Sequence, residues 1–137
     1  MATTNTEDIL STLSTLEDAA REVYKELGGP GLSEGVYANA LQVELQLREV
    51  ESTREAPCVI TYKKRPVGMG RIDLLVHDPK VVIETKAIQR LNTACEHQVR
   101  GYMRTIGAKA GLLVNFASHD AVECKRVLDA NLTANQE

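Results

Sequence analysis

The chain has 137 residues, of which 43% are apolar and 26% charged, and its net charge is −3, with a sequence pI near 5.7. That size and balance suit one globular domain, and the acidic total argues against a protein that coats nucleic acid by bulk charge. No run of 18 apolar residues and no charged-then-apolar leader is visible, so the expectation is an intracellular protein without membrane span or secretory signal.

Residues 1–6 are small and polar, and a disordered start is expected. Leu10, Leu13, Leu16, Ala20, Val23 and Leu27 recur at three- and four-residue steps, which predicts one face of a helix. Gly28-Gly29-Pro30-Gly31 ends it. Ser33 is placed to cap a second helix through its hydroxyl. That helix carries Val36, Ala40, Leu41, Val43, Leu45 and Leu47 and closes near Arg48. From Val50 to Tyr62 the chain turns to strand formers, most clearly in Val59-Ile60-Thr61-Tyr62. Pro57 points to an edge position or an irregular start.

Lys63-Lys64-Arg65-Pro66 turns the chain into a run from Val67 to Val76, and His77-Asp78-Pro79-Lys80 turns it into another from Val81 to Ala87. Asn92 is placed to cap a helix reaching about Ile106, with Gly107 as its stop. Ala110 to Phe116 reads as a buried strand. Val122 to Leu128 suits strand or helix and is assigned to strand. Helix, helix, three strands, helix, strand, strand is the order of a single α/β domain over residues 1–137. Aromatic bulk is limited to Phe116 and four tyrosines, so aliphatic packing must dominate.

Cys58, Cys95 and Cys124 are odd in number and form no C-x-x-C, as in a reduced intracellular protein. Cys95, His97, His119 and Cys124 match no common zinc-ligand spacing.

The two runs beside Asp78-Pro79 contain what strand interiors usually exclude: Asp73, Glu84 and Lys86. A two-residue loop at Asp78-Pro79 would set Asp73 opposite Glu84 and Arg71 opposite Lys86. A Pro79-Lys80 loop would set Asp73 opposite Lys86. In both registers Asp73, Glu84 and Lys86 share one face, because strand side chains alternate. Ile72, Leu74, Val76, Val81 and Ile83 then share the other. Two neighbouring carboxylates repel. A divalent cation turns that cost into a binding site, because Mg²⁺ takes one or two carboxylate oxygens together with water and substrate phosphate. A lysine beside it can orient or deprotonate the water. On spacing alone the simpler reading, a solvated charged face, prevails. Lys86 as a Schiff-base nucleophile would leave Asp73 and Glu34 unexplained.

Asp73 followed by Glu84-Thr85-Lys86 resembles the PD-(D/E)XK nuclease superfamily, with the second segment as its E-x-K half. Gly31-Leu32-Ser33-Glu34-Gly35-Val36-Tyr37 reads G-x-x-E-x-x-Y, the signature of the GxxExxY family within it. Gln98-Val99-Arg100-Gly101-Tyr102 reads Q-x-x-x-Y, as in RecB-like members. The three motifs stand in the same order as in those proteins, and the likeness runs from about Ala19 to Leu128. It implies a restriction-endonuclease-like core, a central mixed sheet flanked by helices. It also implies roles. Asp73 and Glu84 would hold Mg²⁺ or Mn²⁺, joined by the main-chain carbonyl of Thr85 and by Glu34. Lys86 would position the attacking water. Gln98 and Tyr102, four apart on one helix face, would brace Lys86 and the substrate phosphate.

The expected activity is metal-dependent hydrolysis of phosphodiester bonds, DNA first. Lys63, Lys64, Arg65, Arg71, Arg100 and Arg104 are the candidate cations for its backbone. A homodimer would let each subunit address one strand of a duplex. The alternative is a catalytically silent nucleic-acid-binding or assembly subunit of the same fold. Acidic pI and small size favour it, whereas the complete set Glu34, Asp73, Glu84, Lys86 and Gln98 favours the enzyme.

Overall fold

Apolar periodicity and turn residues partition residues 6–132, the span described by the computed structural model, into three helices and five strands. The expected disordered start lies outside that span except for Thr6, which opens α1 (Thr6–Glu26). Helix α1 buries Ile9, Leu13, Leu16, Ala19, Ala20 and Val23. Leu10 is only partly covered and Leu27 is exposed. The helix stops at Glu26, and Gly28 and Gly29 follow with φ of 81° and 89°, so Leu27 falls outside the helical stripe.

Ser33 occupies the N-cap of α2 (Glu34–Leu47) with extended backbone, but its side chain makes no capping bond. Tyr37 fastens this turn instead. Its hydroxyl accepts from the Leu32 N–H at 3.1 Å and donates to the Gly29 carbonyl at 2.6 Å. The Tyr37 ring stacks on Phe116, with centroids 4.5 Å apart and planes within 2°. Apolar residues lie all around α2, so periodicity cannot fix its rotation, and this stack does. Tyr37, Ala38, Leu41 and Leu45 turn inward. Val36, Val43 and Leu47 of the same helix remain exposed.

The strands are β1 (Ser52–Tyr62), β2 (Arg65–His77), β3 (Lys80–Lys86), β4 (Ala110–Asn115) and β5 (Glu123–Leu128), with α3 (Thr93–Ile106) between β3 and β4. They form one sheet in the order β1-β2-β3-β4-β5. Neighbours are antiparallel except β3 and β4, which are parallel and need the α3 crossover. Pro57 lies on edge strand β1, and Val122–Leu128 resolves as strand. Asn92 caps α3 through its side chain, which accepts from the Cys95 N–H, and Gly107 ends the helix at φ 74°.

Helices α1 and α2 cover one side of the sheet over Leu74, Val76, Val81, Ile83, Leu112, Val114 and Phe116. Helix α3 covers the other through Cys95, Val99 and Met103, against Ala56, Cys58, Val82, Leu113 and Val127. Ile72 joins this second layer, not the first as the strict alternation implied. The packing side of the even-numbered β2 residues changes at Asp73. Opposite that point, Glu55 takes left-handed backbone at φ 52°, an irregularity that breaks simple alternation. Among the described residues no helix is long and apolar enough to cross a membrane.

Candidate active site

The β2–β3 hairpin closes through a two-residue loop, Asp78-Pro79, because His77 pairs with Lys80. Of the two conceivable registers this is the one that aligns Asp73 with Glu84. The ladder continues through Val76↔Val81 to Leu74↔Ile83 and ends there. Beyond it β3 keeps pairing with β4 as far as Lys86↔Asn115, while β2 parts from β3.

Side chains take over where the ladder stops. The Asp73 N–H donates to Glu84 Oε1 at 3.1 Å. The Thr85 N–H and hydroxyl both donate to Asp73 Oδ2, at 2.9 and 3.0 Å. Each strand's carboxylate thus accepts a backbone amide of the other strand, satisfying donors that the opened ladder would otherwise strand. Arg54 holds the same point from β1. Its Nη1 donates to the Asp73 carbonyl at 2.8 Å and its Nε to Asn39 Oδ1 of α2 at 2.9 Å.

Glu84 is 3% exposed and Thr85 1%, so this is no solvated face. Burial, then the neighbouring charge of Asp73, pushes the Glu84 carboxyl up to about 8, because the charged form loses its water and faces a like charge. In the metal-free protein Glu84 keeps a proton at neutral pH.

Lys86 sits one pleat farther along β3. Its Nζ donates to Gln98 Oε1 at 3.0 Å, and its carbonyl accepts from the Phe116 N–H at 2.9 Å. The next segment is pinned by Asn115, a fully buried amide that bonds the N–H and carbonyl of Ile88 and the Glu123 carboxylate. Tyr102, one turn beyond Gln98, packs its ring over Gly70. A Cβ at Gly70 would lie 2.7 Å from Tyr102 Cε1, so only glycine admits the ring.

Asp73, Glu84 and Thr85 are therefore one bonded group, and Lys86 with Gln98 forms a second bonded pair next along β3; Tyr102 lines a groove together with Gln98. Glu34 is exposed in the first turn of α2. Among the described residues no three or more His, Cys, Asp or Glu gather in a way that could hold a metal. Cys95 and Cys124 belong to opposite layers of the core. Burial, with Glu17 adding, raises the Cys124 thiol to about 11.

Lys63, Lys64 and Arg65 form the exposed tip of the β1–β2 hairpin, and Arg71 is exposed beside Glu55 at 3.9 Å. Arg104 lines a groove between that hairpin and α3. Arg100 donates to the Leu128 carbonyl at 2.8 Å and ties α3 to β5. Arg54 and Asn115 escaped the sequence reading. Arg54 carries no local signal, whereas an asparagine inside Leu112-Leu113-Val114-Asn115-Phe116 was a legible anomaly, because a buried amide must have partners.

The donor set suits a hard divalent ion. It consists of two carboxylates and a main-chain carbonyl, free of sulfur and imidazole, with one carboxyl whose pKa burial and the neighbouring Asp73 charge push up. Mg²⁺ and Mn²⁺ fit these residues.

The family model of the PD-(D/E)XK nuclease superfamily matches residues 11–127. No curated protein matches. Nine chains of solved structures do. One of them, titled "Crystal structure of SSO0001", superposes with a TM-score of 0.57 at 16% identity, over 91% of this chain and 65% of that one. The present chain therefore spans about two thirds of that structure's length, and the likeness is one of fold.

Proposed function

From the premise that this chain belongs to the PD-(D/E)XK nuclease superfamily, we propose that it is a metal-dependent nuclease of the GxxExxY kind that hydrolyses phosphodiester bonds in DNA. One observation carries the reading: the Asp73–Glu84–Thr85 cross-brace lies beside a lysine that Gln98 holds by its amine. Asp73, Glu84 and the Thr85 carbonyl would hold the ion, and Glu34, exposed on α2 and outside that group, would act only through water. When bound, Mg²⁺ supplies charge neutralisation at the phosphate and lowers the pKa of a water. Lys86 Nζ, fixed by Gln98 Oε1, would orient the attacking water and take part in removing its proton. The cross-brace keeps both carboxylates immobile, so little reorganisation accompanies the reaction. Tyr102, seated on Gly70, closes the side of the site toward the groove.

The test is a panel of single-stranded, duplex and branched DNA plus RNA, incubated with Mg²⁺ or Mn²⁺ and either the native protein or Lys86→Ala. Native protein should cut DNA, and the variant should be slower by roughly 10²–10⁴-fold with an unchanged circular dichroism spectrum. Ca²⁺ should bind yet support cutting poorly, because its looser coordination places the water less well. Equal cutting by both proteins would trace the activity to a contaminant. Metal binding without cutting on any substrate would leave the silent assembly subunit as the better description.

A further inference from the structure

The β1–β2 hairpin extends past the part of the sheet that α3 covers. Its outer half exposes Val59 (45%), Ile60 (42%), Tyr62 (64%), Val67 (64%) and Met69 (66%). Between this arm and α3 runs a groove of about 610 Å³, walled by Val59, Ile60 and Thr61 on one side and Gln98, Tyr102 and Arg104 on the other. Gln98, which lines the groove, is also the partner of Lys86, so the groove and the candidate site share that side chain.

Charge distinguishes the arm from the rest of the chain. Between Ala56 and Ile72 there is no acidic residue, and Lys63, Lys64, Arg65 and Arg71 are basic, leaving twelve basic against nineteen acidic residues elsewhere. The tip adds a second sign. Tyr62 pairs with Arg65 across a two-residue loop, and its central residues, Lys63 and Lys64, have φ of 48° and 67°. Such loops favour Asn-Gly, because an L side chain at positive φ is strained. Here two lysines hold those positions, so charge at the tip is kept at a conformational cost.

Apolar surface on a cationic arm narrows the occupant. A second copy of the arm would set four positive charges against four, which opposes pairing. A fully paired duplex offers the arm phosphates but keeps its bases stacked inside. A single strand offers both a polyanionic backbone and bare base faces, and apolar or aromatic side chains take those faces without sequence preference. We propose that the groove between the β1–β2 arm and α3 holds unpaired nucleotides, so that the substrate of the Lys86 site is single-stranded DNA or a single-stranded extension of a duplex. This inference rests on the nuclease reading for the chemistry, and on the arm and groove for the substrate class.

The test measures binding without cutting, by fluorescence anisotropy in EDTA, with the full-length protein. The probes are a twelve-nucleotide strand, its blunt duplex, and a strand of equal length whose central nucleotides are abasic. The base-bearing strand should bind about tenfold tighter than the abasic strand and tighter than the duplex. Ile60→Ser and Tyr62→Ala together should lower its affinity to the abasic level. Both positions are exposed, and thermal melting should show an intact fold. Equal affinity for base-bearing and abasic strands, a preference for duplex, or no DNA binding at all would overturn the inference. Failure of the nuclease reading has a different signature: a protein that prefers the base-bearing strand in EDTA yet cuts nothing in Mn²⁺.

Discussion

Strand β2 passes through two contrasting regions. Its inner half, from Asp73 to His77, lies between helices on both sides and sets the half-buried Asp73 against Glu84 of β3, a carboxyl that water barely reaches. Its outer half, from Arg65 to Arg71, leaves the helices behind and holds apolar side chains that water reaches freely. Each region inverts the usual placement, charge inside and hydrophobes outside. Both inversions cost stability, since a buried charge loses hydration and exposed apolar area forgoes burial. The costs meet at Asp73, where the ladder opens and the packing side changes. A local conflict with folding rules of this kind is the usual mark of a working site.

The inner region should break hardest. Asp73→Asn removes one carboxylate while retaining an acceptor for Thr85. Mn²⁺ should raise the melting temperature of the native protein by mass action and leave the variant's nearly unchanged, and cutting should fall by at least about a hundredfold. A metal-induced shift of equal size in the variant would place the ion elsewhere.

Next comes pH. Glu84 titrates near 8 when folded, against 4.5 for an unperturbed glutamate. Below 4.5 both states hold the proton and this group is neutral toward stability. Between 4.5 and 8 the folded state retains a proton that the unfolded state has released, so stability falls as pH rises, and the fall ends above 8. Metal-free protein should melt progressively lower from pH 5 to 8.5. Glu84→Gln should flatten that dependence and melt higher than the native protein at pH 8.5. A melting temperature that rises over this range would refute the assignment.

A smaller effect is expected where the two regions touch. Gly70→Ala drives a methyl against the Tyr102 ring and should destabilise the fold by about 1–3 kcal/mol, as overpacking does. Urea denaturation reads it, and Tyr102→Ala in the same chain should recover part of the loss.

The smallest effect sharpens the contrast at the arm. Lys63→Asn with Lys64→Gly relieves two strained φ angles and should stabilise by about 1 kcal/mol. The same change should weaken single-strand binding and reduce its salt slope by about 1.4, near 0.7 per lost phosphate contact. Stability and binding that moved in the same direction would separate the strained tip from function.

Local signals announced most of the fold. Gly28-Gly29, Asn92 and Gly107 punctuate the helices because their backbone or side-chain chemistry acts within a turn. Strand runs announced themselves by β-branched content, the α/β class followed from element order, and the restriction-endonuclease-like core was implied by the resemblance of the motifs. Within the candidate site, Asp73, Glu84, Lys86, Gln98 and Tyr102 were legible as motif residues, since spacing along a strand or helix constrains which side chains share a face. The roles given to them remain for the experiments above to test.

What lay beyond local reading was every feature set by a partner distant in the chain. Rotation of α2 was decided by the stack of Tyr37 on Phe116, because its apolar residues point in all directions. Ile72 changed layers through an irregularity at Glu55 on another strand. Arg54 became the brace of Asp73 only when β1 was laid beside β2. Glu84 became a buried carboxyl with a raised pKa only when β3 was set between β2 and β4 and brought against Asp73. Sequence spacing specifies neighbours within one element, whereas desolvation and cross-strand hydrogen bonds depend on which elements pack together, and that is settled only in three dimensions.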